Sequence, residues 1–523
     1  MDRQLIDACL SPAAFDYPVD SVELIETHIS WVILTDRYAY KIKKPLDLGF
    51  LDFRTLDDRR FFCDEEIRLN KASAPDIYID VVPITDGEQP RFGGQGVPVD
   101  YAVRMHRFEQ DQLLDAQLEN NLLTGKDMKE LGNAIASRHK AAARVADSQR
   151  EHQLAITREL IWDNFQWLPG CVDDELIAFL HNWTERELQA VNGLLEQRFD
   201  DGFVRECHGD LHLANLVRMP GGIRSFDCIE FNADLRNADV ICDAAFLVMD
   251  LVSRDRHDLA ACFLNRYLEH TGDYPGTALL DLYFVYRCLV RAKVAAISGR
   301  ESAAQADRDN YLARALRYCD LARRQAVRQP PRLIVMHGLS GTGKTWVAES
   351  LMTALPAIRI RSDIERKRMF GFAEHADTGS APGQGIYSPG ANEAVYEQLC
   401  QTARTVLDSG HNVILDASFL HKAQRSRALQ AARDSECHAV VIDVRAPAGL
   451  MQERIAARAR NRDDASEANR AVVEQQRHIV EPVDLDEGMP VIVFDNTGDA
   501  DTTTLVDLIK AKQAAGCREA NGT

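Results

Sequence analysis

The sequence predicts a multi-domain protein, α+β in its amino-terminal part and α/β in its carboxyl-terminal part. Its 523 residues exceed what one ordinary hydrophobic core supports. Strand-like and helical segments are mixed in the first part, whereas strands alternate regularly with helices in the second. Between them the stretch RRQAVRQPPR contains paired prolines, which stop a helix and stiffen the connection. We therefore predict domains at 1–325 and 332–512, a linker at 326–331 and a loose tail at 513–523.

The first domain divides into a lobe at about 20–110 and a mostly helical lobe at about 111–325. WVILT and YAYKIK predict adjacent strands with a turn at Asp36 and Arg37, and IDVVPI and YAVRMHRF predict two more. RTLDDRRFFCDEEIRLNKA predicts a helix between the two pairs. The helical pattern of the second lobe is interrupted by CHGDLHLANLV and by IRSFDCIEF.

The second domain predicts a parallel sheet flanked by helices. Its strands are RLIVMHG, AIRIRSD, NVILDAS, AVVIDVR and PVIVFDN, and four of these five carry an aspartate at or just before the strand tip. Short apolar runs separated by helices are typical of parallel sheets, whose functional sites lie at the carboxyl ends of the strands.

Composition limits the classes of function. The chain is 46% hydrophobic and 27% charged, with a net charge of −19 that repels polyanions and disfavours bulk nucleic-acid or membrane-surface binding. The twelve cysteines are scattered without a C-x-x-C pair, so we expect reduced thiols in a cytoplasmic protein. The start MDRQLIDACLSPAAF has no signal-peptide pattern, and no apolar run reaches the roughly 18 residues of a membrane span.

The stretch CHGDLHLANLV has three interpretations. His208 and His212 are four residues apart, as in a helical zinc site, but Gly209 and Asp210 interrupt that helix. A polar turn without function is the second interpretation. The third is a phosphotransfer loop, because Asp210 and Asn215 have the H-x-D-x-x-x-x-N spacing in which aspartate accepts a hydroxyl proton and asparagine holds magnesium. Asp227, a dozen residues on, would then supply a second metal carboxylate, and Asp and Asn oxygens suit Mg²⁺.

This H-G-D-x-x-x-x-N pattern resembles the aminoglycoside phosphotransferase and choline kinase family, distant relatives of protein kinases. The resemblance covers roughly residues 20–320 and implies a two-lobed protein-kinase-like fold that uses ATP and Mg²⁺. It makes Asp210 the catalytic base, Asn215 and Asp227 the metal ligands, and Asp243 a structural aspartate.

The same resemblance implies a nucleotide-binding lysine and a glutamate that pairs with it. YAYK makes Lys41 the candidate for the ATP phosphates, with Lys43 second. The following helix favours Glu65 as the partner, with Glu66 close behind. The chain departs from the kinase pattern in the preceding loop, where ETHISWV stands in place of a glycine-rich G-x-G-x-x-G.

A second phosphate-binding motif, GLSGTGKT, follows the strand RLIVMH and precedes a helix. It matches G-x-x-x-x-G-K-[ST], whose backbone N–H groups face the phosphates. Lys344 would reach the β- and γ-phosphates, and the Thr345 hydroxyl would bind magnesium. The nucleotide-binding residues predicted here are Gly338, Ser340, Gly341, Thr342, Gly343, Lys344 and Thr345.

The rest of this domain distinguishes a kinase from an ATPase. RSDIERKR carries D-x-x-R at Asp363 and Arg366, VILDASF ends in Asp416, and Arg454 and Arg458 lie one helical turn apart. The pattern resembles P-loop kinases of the phage polynucleotide kinase and zeta-toxin group, of AAA-type ATP-binding architecture, over about 331–500. It implies that Asp363 contacts the acceptor hydroxyl and Arg366 holds the acceptor. Asp416 would lie near the metal, and the two lid arginines would stabilise the transferring phosphoryl group.

Together the two resemblances predict a cytoplasmic two-kinase fusion that moves the γ-phosphoryl of ATP, with Mg²⁺, to a small-molecule or nucleotide-like acceptor. Two alternatives remain open. One is a regulatory nucleotide-binding protein with one non-catalytic domain. The other is a toxin-like kinase acting on a nucleotide sugar or a nucleic-acid end. Neither the acceptor nor the oligomeric state follows from the sequence.

Overall fold

The computed structural model describes residues 3–49, 51–86, 90–327, 329–380, 383–461, 470–484, 487–497 and 501–520. The chain divides into two compact units. The first comprises Met1–Cys171, Arg186–Asp250 and Leu289–Ala315, and the second comprises Val172–Glu185, Leu251–Cys288 and Leu316–Thr523. The second unit therefore includes a segment of the helical lobe, which the sequence placed with the first domain.

The strands are β1 Glu23–Glu26, β2 Ser30–Leu34, β3 Tyr38–Lys43, β4 Tyr78–Thr85, β5 Arg91–Phe92, β6 Pro98–His106, β7 Val204–Glu206, β8 Leu216–Met219, β9 Gly222–Ser225, β10 Asn237–Asp239, β11 Arg332–His337, β12 Ala357–Arg361, β13 Asn412–Asp416, β14 His438–Arg445 and β15 Val491–Asp495.

The helices are α1 Arg3–Cys9, α2 Leu56–Asn70, α3 Leu114–Glu119, α4 Gly125–Ala141, α5 Arg150–Asp163, α6 Asp174–Asp200, α7 Ala233–Arg236, α8 Val240–Ser253, α9 His257–Thr271, α10 Leu280–Glu301, α11 Gln305–Ala326, α12 Lys344–Ala354, α13 Ser362–Met369, α14 Pro389–Asp408, α15 Lys422–Asp434, α16 Ala448–Asn461, α17 Arg470–Ile479 and α18 Thr503–Ala520. Among the described residues, no helix is long and apolar enough to span a membrane.

The first unit carries an antiparallel sheet in the order β1-β2-β3-β6-β4-β5. Side chains of β3 alternate between the two faces of the sheet. Tyr40 and Ile42 belong to the apolar cluster on one face, whereas Lys41 and Lys43 contact Glu66 of α2. The hairpin β8-β9 leads to Asp227. The sheet, the helix after it and the mostly helical second lobe agree with the predicted kinase-like fold.

The second unit carries a parallel sheet in the order β12-β13-β11-β14-β15. All five strands predicted from the sequence are present. Helices α12, α14 and α15 pack against the sheet. The strand β11 lies at the centre of the sheet, so the loop after it opens between β13 and β14, where parallel sheets bind phosphates.

Helix α9 completes the second unit at the edge strand β12. The Asn265 side chain donates a hydrogen bond to the Ala357 carbonyl (2.9 Å) and accepts one from the Arg359 backbone N–H (2.6 Å). Glu269 forms a buried ion pair with Arg359, 2.9 Å between Oε1 and Nη2. Exposed sheet edges need such cover, and here a helix of the predicted first domain supplies it.

Residues 513–520 of the predicted tail are helical, because α18 continues to Ala520, and the looseness of the tail stays a prediction. Its last turns, KAKQAAGCREA, are rich in alanine, lysine and glutamine, which favour helix. Residues 521–523 lie outside the described residues.

Candidate active sites

A buried aspartate holds the start of the catalytic-type loop of the first unit. Asp243 of α8 accepts hydrogen bonds from the backbone N–H groups of His208 (3.1 Å) and Gly209 (2.9 Å), and its carboxylate also lies 3.1 Å from His139 Nε2. Gly209 has φ +82, and a Cβ there would lie 3.0 Å from the Leu235 carbonyl oxygen. Glycine is therefore required at the tightest point of the loop.

Asp210 and Asn215 lie together, as their spacing predicted. The Asn215 amide Nδ2 donates to Oδ2 of Asp210 (3.0 Å) and to its backbone carbonyl (2.9 Å). His212 Nε2 lies 3.2 Å from the same carboxylate, whose side chain is 38% exposed. Desolvation alone would raise the pKa of Asp210, but His212, which lies against the carboxylate, holds that pKa well below its usual range. The carboxylate is therefore ionised and accessible, as a proton acceptor must be.

The zinc interpretation of the two histidines finds no support in their contacts. His208 Nε2 bonds to the Phe226 carbonyl (2.8 Å), while its Nδ1 accepts the Asp210 N–H (3.3 Å). Both ring nitrogens are used by the neutral form, and burial lowers the pKa of His208 to about 4. Among the described residues, one group of side chains lies close enough together to hold a metal ion, namely His139, Cys207 and Asp243. The Asp243 carboxylate already accepts hydrogen bonds from the loop backbone.

Asp227 follows β9 in a left-handed conformation, φ +60. Its backbone N–H donates to the Tyr78 hydroxyl (3.0 Å), and the next N–H, of Cys228, donates to Asn70 Oδ1 (2.9 Å). The Asp227 carboxylate, 42% exposed, contacts the Lys41 ammonium. Helix α2 and strand β4 thus fix the segment that places this carboxylate beside Lys41, the lysine predicted to bind the nucleotide.

The predicted partner of Lys41 is corrected by the structure. Lys41 Nζ lies 2.9 Å from Oε1 of Glu66, which is completely buried. Glu65 points to the other side of α2 and pairs with Arg68 and Arg236. One residue on a helix changes the direction of a side chain by about 100°, and the sequence pattern had favoured the wrong one of two adjacent glutamates. Burial alone would raise the pKa of Glu66, but Lys41 and Lys43 lower it to about 2.

The phosphate-binding loop of the second unit begins after β11. Gly338, Gly341 and Gly343 have φ of +135, +88 and +92, and a Cβ on Gly343 would lie 2.2 Å from Asn496 Nδ2. The Thr342 carbonyl is turned away from the loop interior, since Arg454 and Asn496 each donate to it at 2.9 Å. Turning this carbonyl away leaves amide groups to face an anion.

A cavity of about 220 Å³ joins this loop to the acceptor-type residues. Its lining includes Lys344, Thr345, Asp363, Arg366 and Asp416. Eight of the residues that the sequence assigned to this site line the cavity: Ser340, Gly341, Gly343, Lys344, Thr345, Asp363, Arg366 and Asp416. Gly338 and Thr342 are not among its lining residues.

Thr345 and Asp416, the residues predicted to lie at the magnesium ion, both line this cavity. The Thr345 hydroxyl donates to Asp416 Oδ1 at 3.4 Å. Asp416 Oδ2 is buried and has no hydrogen-bond partner among the described residues, although Arg361 Nε lies 3.9 Å away. Burial raises the pKa of Asp416. A buried carboxylate oxygen without a partner, beside a hydroxyl, fits a hard cation such as Mg²⁺.

Asp363 and Arg366, the residues predicted to contact the acceptor, lie on α13 and line the same cavity. The N-cap position of α13 is Arg361, without a side-chain capping bond, so Asp363 is not the cap residue. Arg366 is buried, with its guanidinium donating to the Ile386 carbonyl (2.7 Å) and stacking over the Tyr387 ring. Its Nε has no hydrogen-bond partner among the described residues. A rigidly held cation thus lies one helical turn from a carboxylate that lines the same cavity.

The two predicted lid arginines are Arg454 and Arg458. Arg454 donates to the Thr342 carbonyl and to Asn496 Oδ1, and it is not among the residues that line the cavity. The side chain of Arg458 lies outside the described residues. Their proposed contact with the transferring phosphoryl group stays a prediction.

The lining residues that sequence reasoning missed include Arg361, His421 and Gln476. Gln476 Oε1 accepts the Ser340 backbone N–H at 2.8 Å, which ties α17 to the phosphate loop. Arg361 precedes D-x-x-R at a strand tip and could have been found from that position. Gln476 lies more than 100 residues from the loop and carried no local signal.

The two units define a class of protein with a kinase-like fold followed by a P-loop fold. Residues 333–483 match the protein family described as AAA domain. The chain is 30% identical over 451 residues to Uncharacterized protein Rv2004c of Mycobacterium tuberculosis, covering 85% of this chain and 88% of the relative. Uncharacterized protein Mb2027c of Mycobacterium bovis matches to the same extent. The chain therefore belongs to the family of these mycobacterial proteins.

Several solved structures align with a portion of the chain. A putative kinase from Chloroflexus aurantiacus is 24% identical and aligns with 35% of this chain and 98% of its own (TM-score 0.29). Choline kinase from Cryptosporidium parvum is 12% identical and aligns with 62% of this chain and 93% of its own (TM-score 0.38). Chaetomium thermophilum Kti12, solved with ADP-AlF3, is 19% identical and aligns with 34% of this chain and 97% of its own (TM-score 0.28).

Proposed function

We propose that the chain is an ATP-dependent phosphotransferase with two kinase-type sites, each moving the γ-phosphoryl group of ATP to a hydroxyl of a small-molecule or nucleotide-like acceptor. One observation carries the proposal: Asp363 and Arg366 line the same cavity as Lys344 and Thr345. A site that only binds nucleotide needs the second pair alone, whereas a kinase also needs a carboxylate and a cation for the acceptor. The proposed domains are 1–325 and 332–512.

In the carboxyl-terminal site, the loop amides and Lys344 would bind the phosphates of ATP. Thr345 and Asp416 would hold Mg²⁺, which neutralises phosphate charge when bound. Asp363 would accept the proton of the acceptor hydroxyl as the oxygen attacks the γ-phosphorus, with ADP as the leaving group. Arg366 is too firmly held by Ile386 and Tyr387 to move far, so it would fix the acceptor in one orientation.

In the amino-terminal site, Lys41 would contact the nucleotide phosphates, and Glu66 would keep its ammonium in place. Asn215 and Asp227 offer oxygen atoms suited to Mg²⁺. The ionised, partly exposed carboxylate of Asp210 would accept the proton of the attacking hydroxyl. Because the Asn215 amide donates to the carboxylate and to the backbone carbonyl of Asp210, the proposed base and the proposed metal ligand orient each other.

The test uses the full chain with γ-labelled ATP, Mg²⁺ and fractionated small-molecule extracts. We expect labelled organic products in addition to inorganic phosphate. One product should disappear in Asp363→Asn and another in Asp210→Asn, which assigns each reaction to its site. Nucleotide binding at both sites without a labelled product from any fraction would instead support the regulatory alternative. A product that is a nucleotide sugar or a nucleic-acid end would support the toxin-like alternative.

A further inference from the structure

The first unit contains a second buried lysine that the proposed chemistry does not use. Lys43 lies two residues after Lys41 on β3, and its side chain is completely buried. Its ammonium lies 2.8 Å from Oε2 of Glu66, contacts the Glu230 carboxylate and lies 5.2 Å from the centre of the Phe53 ring. A lysine that is completely enclosed cannot reach a nucleotide, so its function must be exerted through its neighbours.

The contacts form one continuous series of alternating charges. In order, its members are Asp227, Lys41, Glu66, Lys43 and Glu230. Glu66 stands at its centre and gives one carboxylate oxygen to each lysine. The accessible end is Asp227, whereas Glu230 at the other end is 3% exposed. The series therefore runs from the proposed nucleotide site into the interior of the protein.

We propose that Lys43 and Glu230 are positioning residues that hold Glu66 in the orientation in which it fixes Lys41 for nucleotide binding; this inference rests on the proposed function of the amino-terminal site. Without Lys43, Oε2 of Glu66 is a buried anionic oxygen without its cation, a state that proteins avoid. Glu66 would then turn away or share Lys41 between both oxygens. Either change moves the Lys41 ammonium from the place where it meets phosphate.

Glu230 is the second of the two positioning residues. It lies three residues after Asp227 and ties that segment to β3 through Lys43. Three elements thus meet at Lys43: strand β3, helix α2 through Glu66, and the segment after β9 through Glu230. The pair would keep the lysine, the glutamate and the aspartate of the site together without a bound ligand.

The experiment measures binding of a fluorescent ATP analogue with Mg²⁺ to the full chain carrying Lys344→Ala, so that the first unit gives the signal. Lys43→Met and Glu230→Gln should each weaken binding about tenfold, the effect of losing one hydrogen bond to a charged group. The double variant should bind no more weakly than Lys43→Met alone, because both changes remove the same interaction. Lys43→Arg, which keeps the charge, should restore part of the affinity.

The matched control is Lys44→Met. Lys44 is the next residue and bonds to Glu26 and the Thr27 carbonyl near the surface, so its loss should leave the affinity unchanged. A merely structural role for Lys43 predicts a lower unfolding midpoint with unchanged affinity in the folded protein. That result for both Lys43→Met and Glu230→Gln would overturn the proposal. If Lys43→Met does not fold, the nearly isosteric Glu230→Gln decides between the same two results.

A further variant separates this inference from the proposed function. Lys41→Met in the same background should abolish binding of the analogue by the first unit. If it does so while Lys43→Met and Glu230→Gln bind normally, the positioning role alone is wrong. If Lys41→Met also binds normally, the amino-terminal site is not the proposed nucleotide site, and the inference is overturned together with it.

Discussion

The hydroxyl of Thr345, the last residue of the phosphate loop, donates a hydrogen bond to Oδ1 of Asp416 at the tip of the neighbouring strand, 3.4 Å away. The second carboxylate oxygen of Asp416 is buried without a hydrogen-bond partner among the described residues. The loop after β11 and the tip of β13, adjacent strands of a parallel sheet, supply these two residues. This contact joins the two side chains that we propose as magnesium ligands in the carboxyl-terminal cavity.

Asp416→Asn should therefore reduce the Mg²⁺ affinity of the carboxyl-terminal site more than the protein's stability. The amide keeps the size of the side chain and a hydrogen-bonding oxygen, but it loses the charge that attracts a divalent cation. We expect a rise in the Mg²⁺ concentration needed for half-maximal ATP turnover, by about tenfold or more. A Mg²⁺ titration of the Asp210→Asn chain, in which the amino-terminal site is expected to be inactive, measures this Mg²⁺ concentration. Unchanged half-maximal Mg²⁺ would remove Asp416 from the metal site.

The two nucleotide sites should be chemically independent. Lys344→Ala removes the main side-chain contact to the transferred phosphate in the P-loop, so ATP use by the carboxyl-terminal site should be lost. The activity that depends on Asp210 should remain largely intact. Labelled-ATP assays on the full chain, with Asp210→Asn and Lys344→Ala alone and combined, separate the contributions. Loss of both activities in Lys344→Ala would mean that one site controls the other.

Asp210→Asn should leave nucleotide affinity nearly intact and lower turnover by the amino-terminal site by roughly 10²–10⁴-fold, the typical contribution of a general base. The asparagine can still interact with Asn215 and His212, so the loop should keep its shape. Analogue binding and product formation, each measured in the Lys344→Ala background, give the two quantities. Tightly bound zinc in the purified chain, lost in His208→Ala, would contradict this assignment and revive the metal interpretation.

Acid should destabilise the first unit through His208. Because burial lowers the pKa of His208 to about 4, the unfolded chain binds a proton below its ordinary pKa of about 6.5 whereas the folded chain does not. The stabilisation from the neutral ring is thus complete above about pH 6.5 and is lost as the pH falls towards 4. This residue contributes a slope of at most about 1.4 kcal/mol per pH unit to the free energy of unfolding.

Urea unfolding of the wild type and of His208→Gln between pH 7 and pH 5 tests this expectation. The glutamine can still donate to the Phe226 carbonyl but cannot take up a proton, so its slope should be flatter than that of the wild type. If the free energy of unfolding changes equally with pH in the wild type and in His208→Gln, the buried ring is not the cause of the acid destabilisation.

The sequence predicted most of the fold and the motif-bearing residues, because those signals are local. The strand tips, the phosphate loop and the spacing of Asp210 from Asn215 each span fewer than ten residues. The direction of a side chain within a helix was harder to predict from the sequence. Glu65 and Glu66 are chemically identical in sequence, and only the tertiary packing of α2 against β3 decides which one is buried against Lys41.

Contacts between distant segments could not be read from the sequence. Asn265 and Glu269 of α9 cover the edge strand β12 about 90 residues later, through hydrogen bonds to Ala357 and Arg359. No periodicity or motif links these segments. The same reason explains why Gln476 was missed, since its contact with Ser340 spans 136 residues. Pairings of this kind depend on the assembled sheet, so a local pattern carries no information about them.

Asp363 decides whether the carboxyl-terminal site is a kinase or only an ATPase. The phosphate loop predicts nucleotide binding in either case. Asp363 lines the cavity together with Lys344, and the helix α13 begins with Arg361 as its N-cap. The simpler interpretation, in which Asp363 only caps this helix, therefore has no hydrogen bond to support it. Loss of a cap would cost about 1 kcal/mol of stability and little activity.

Phosphoryl transfer to the acceptor should collapse in Asp363→Asn while ATP still binds. Loss of a catalytic base typically lowers the rate by about 10²–10⁴-fold, which corresponds to roughly 3–5 kcal/mol of barrier. The asparagine keeps the shape of the side chain, so the unfolding midpoint should change little. Product formation and analogue binding in the Asp210→Asn background measure the two effects separately. Glu365→Gln on the same helix, whose wild-type side chain pairs with Arg368, serves as the control and should retain transfer. If Asp363→Asn phosphorylates its acceptor at a near wild-type rate, the residue is not the base, and the cavity needs another group to receive the hydroxyl proton.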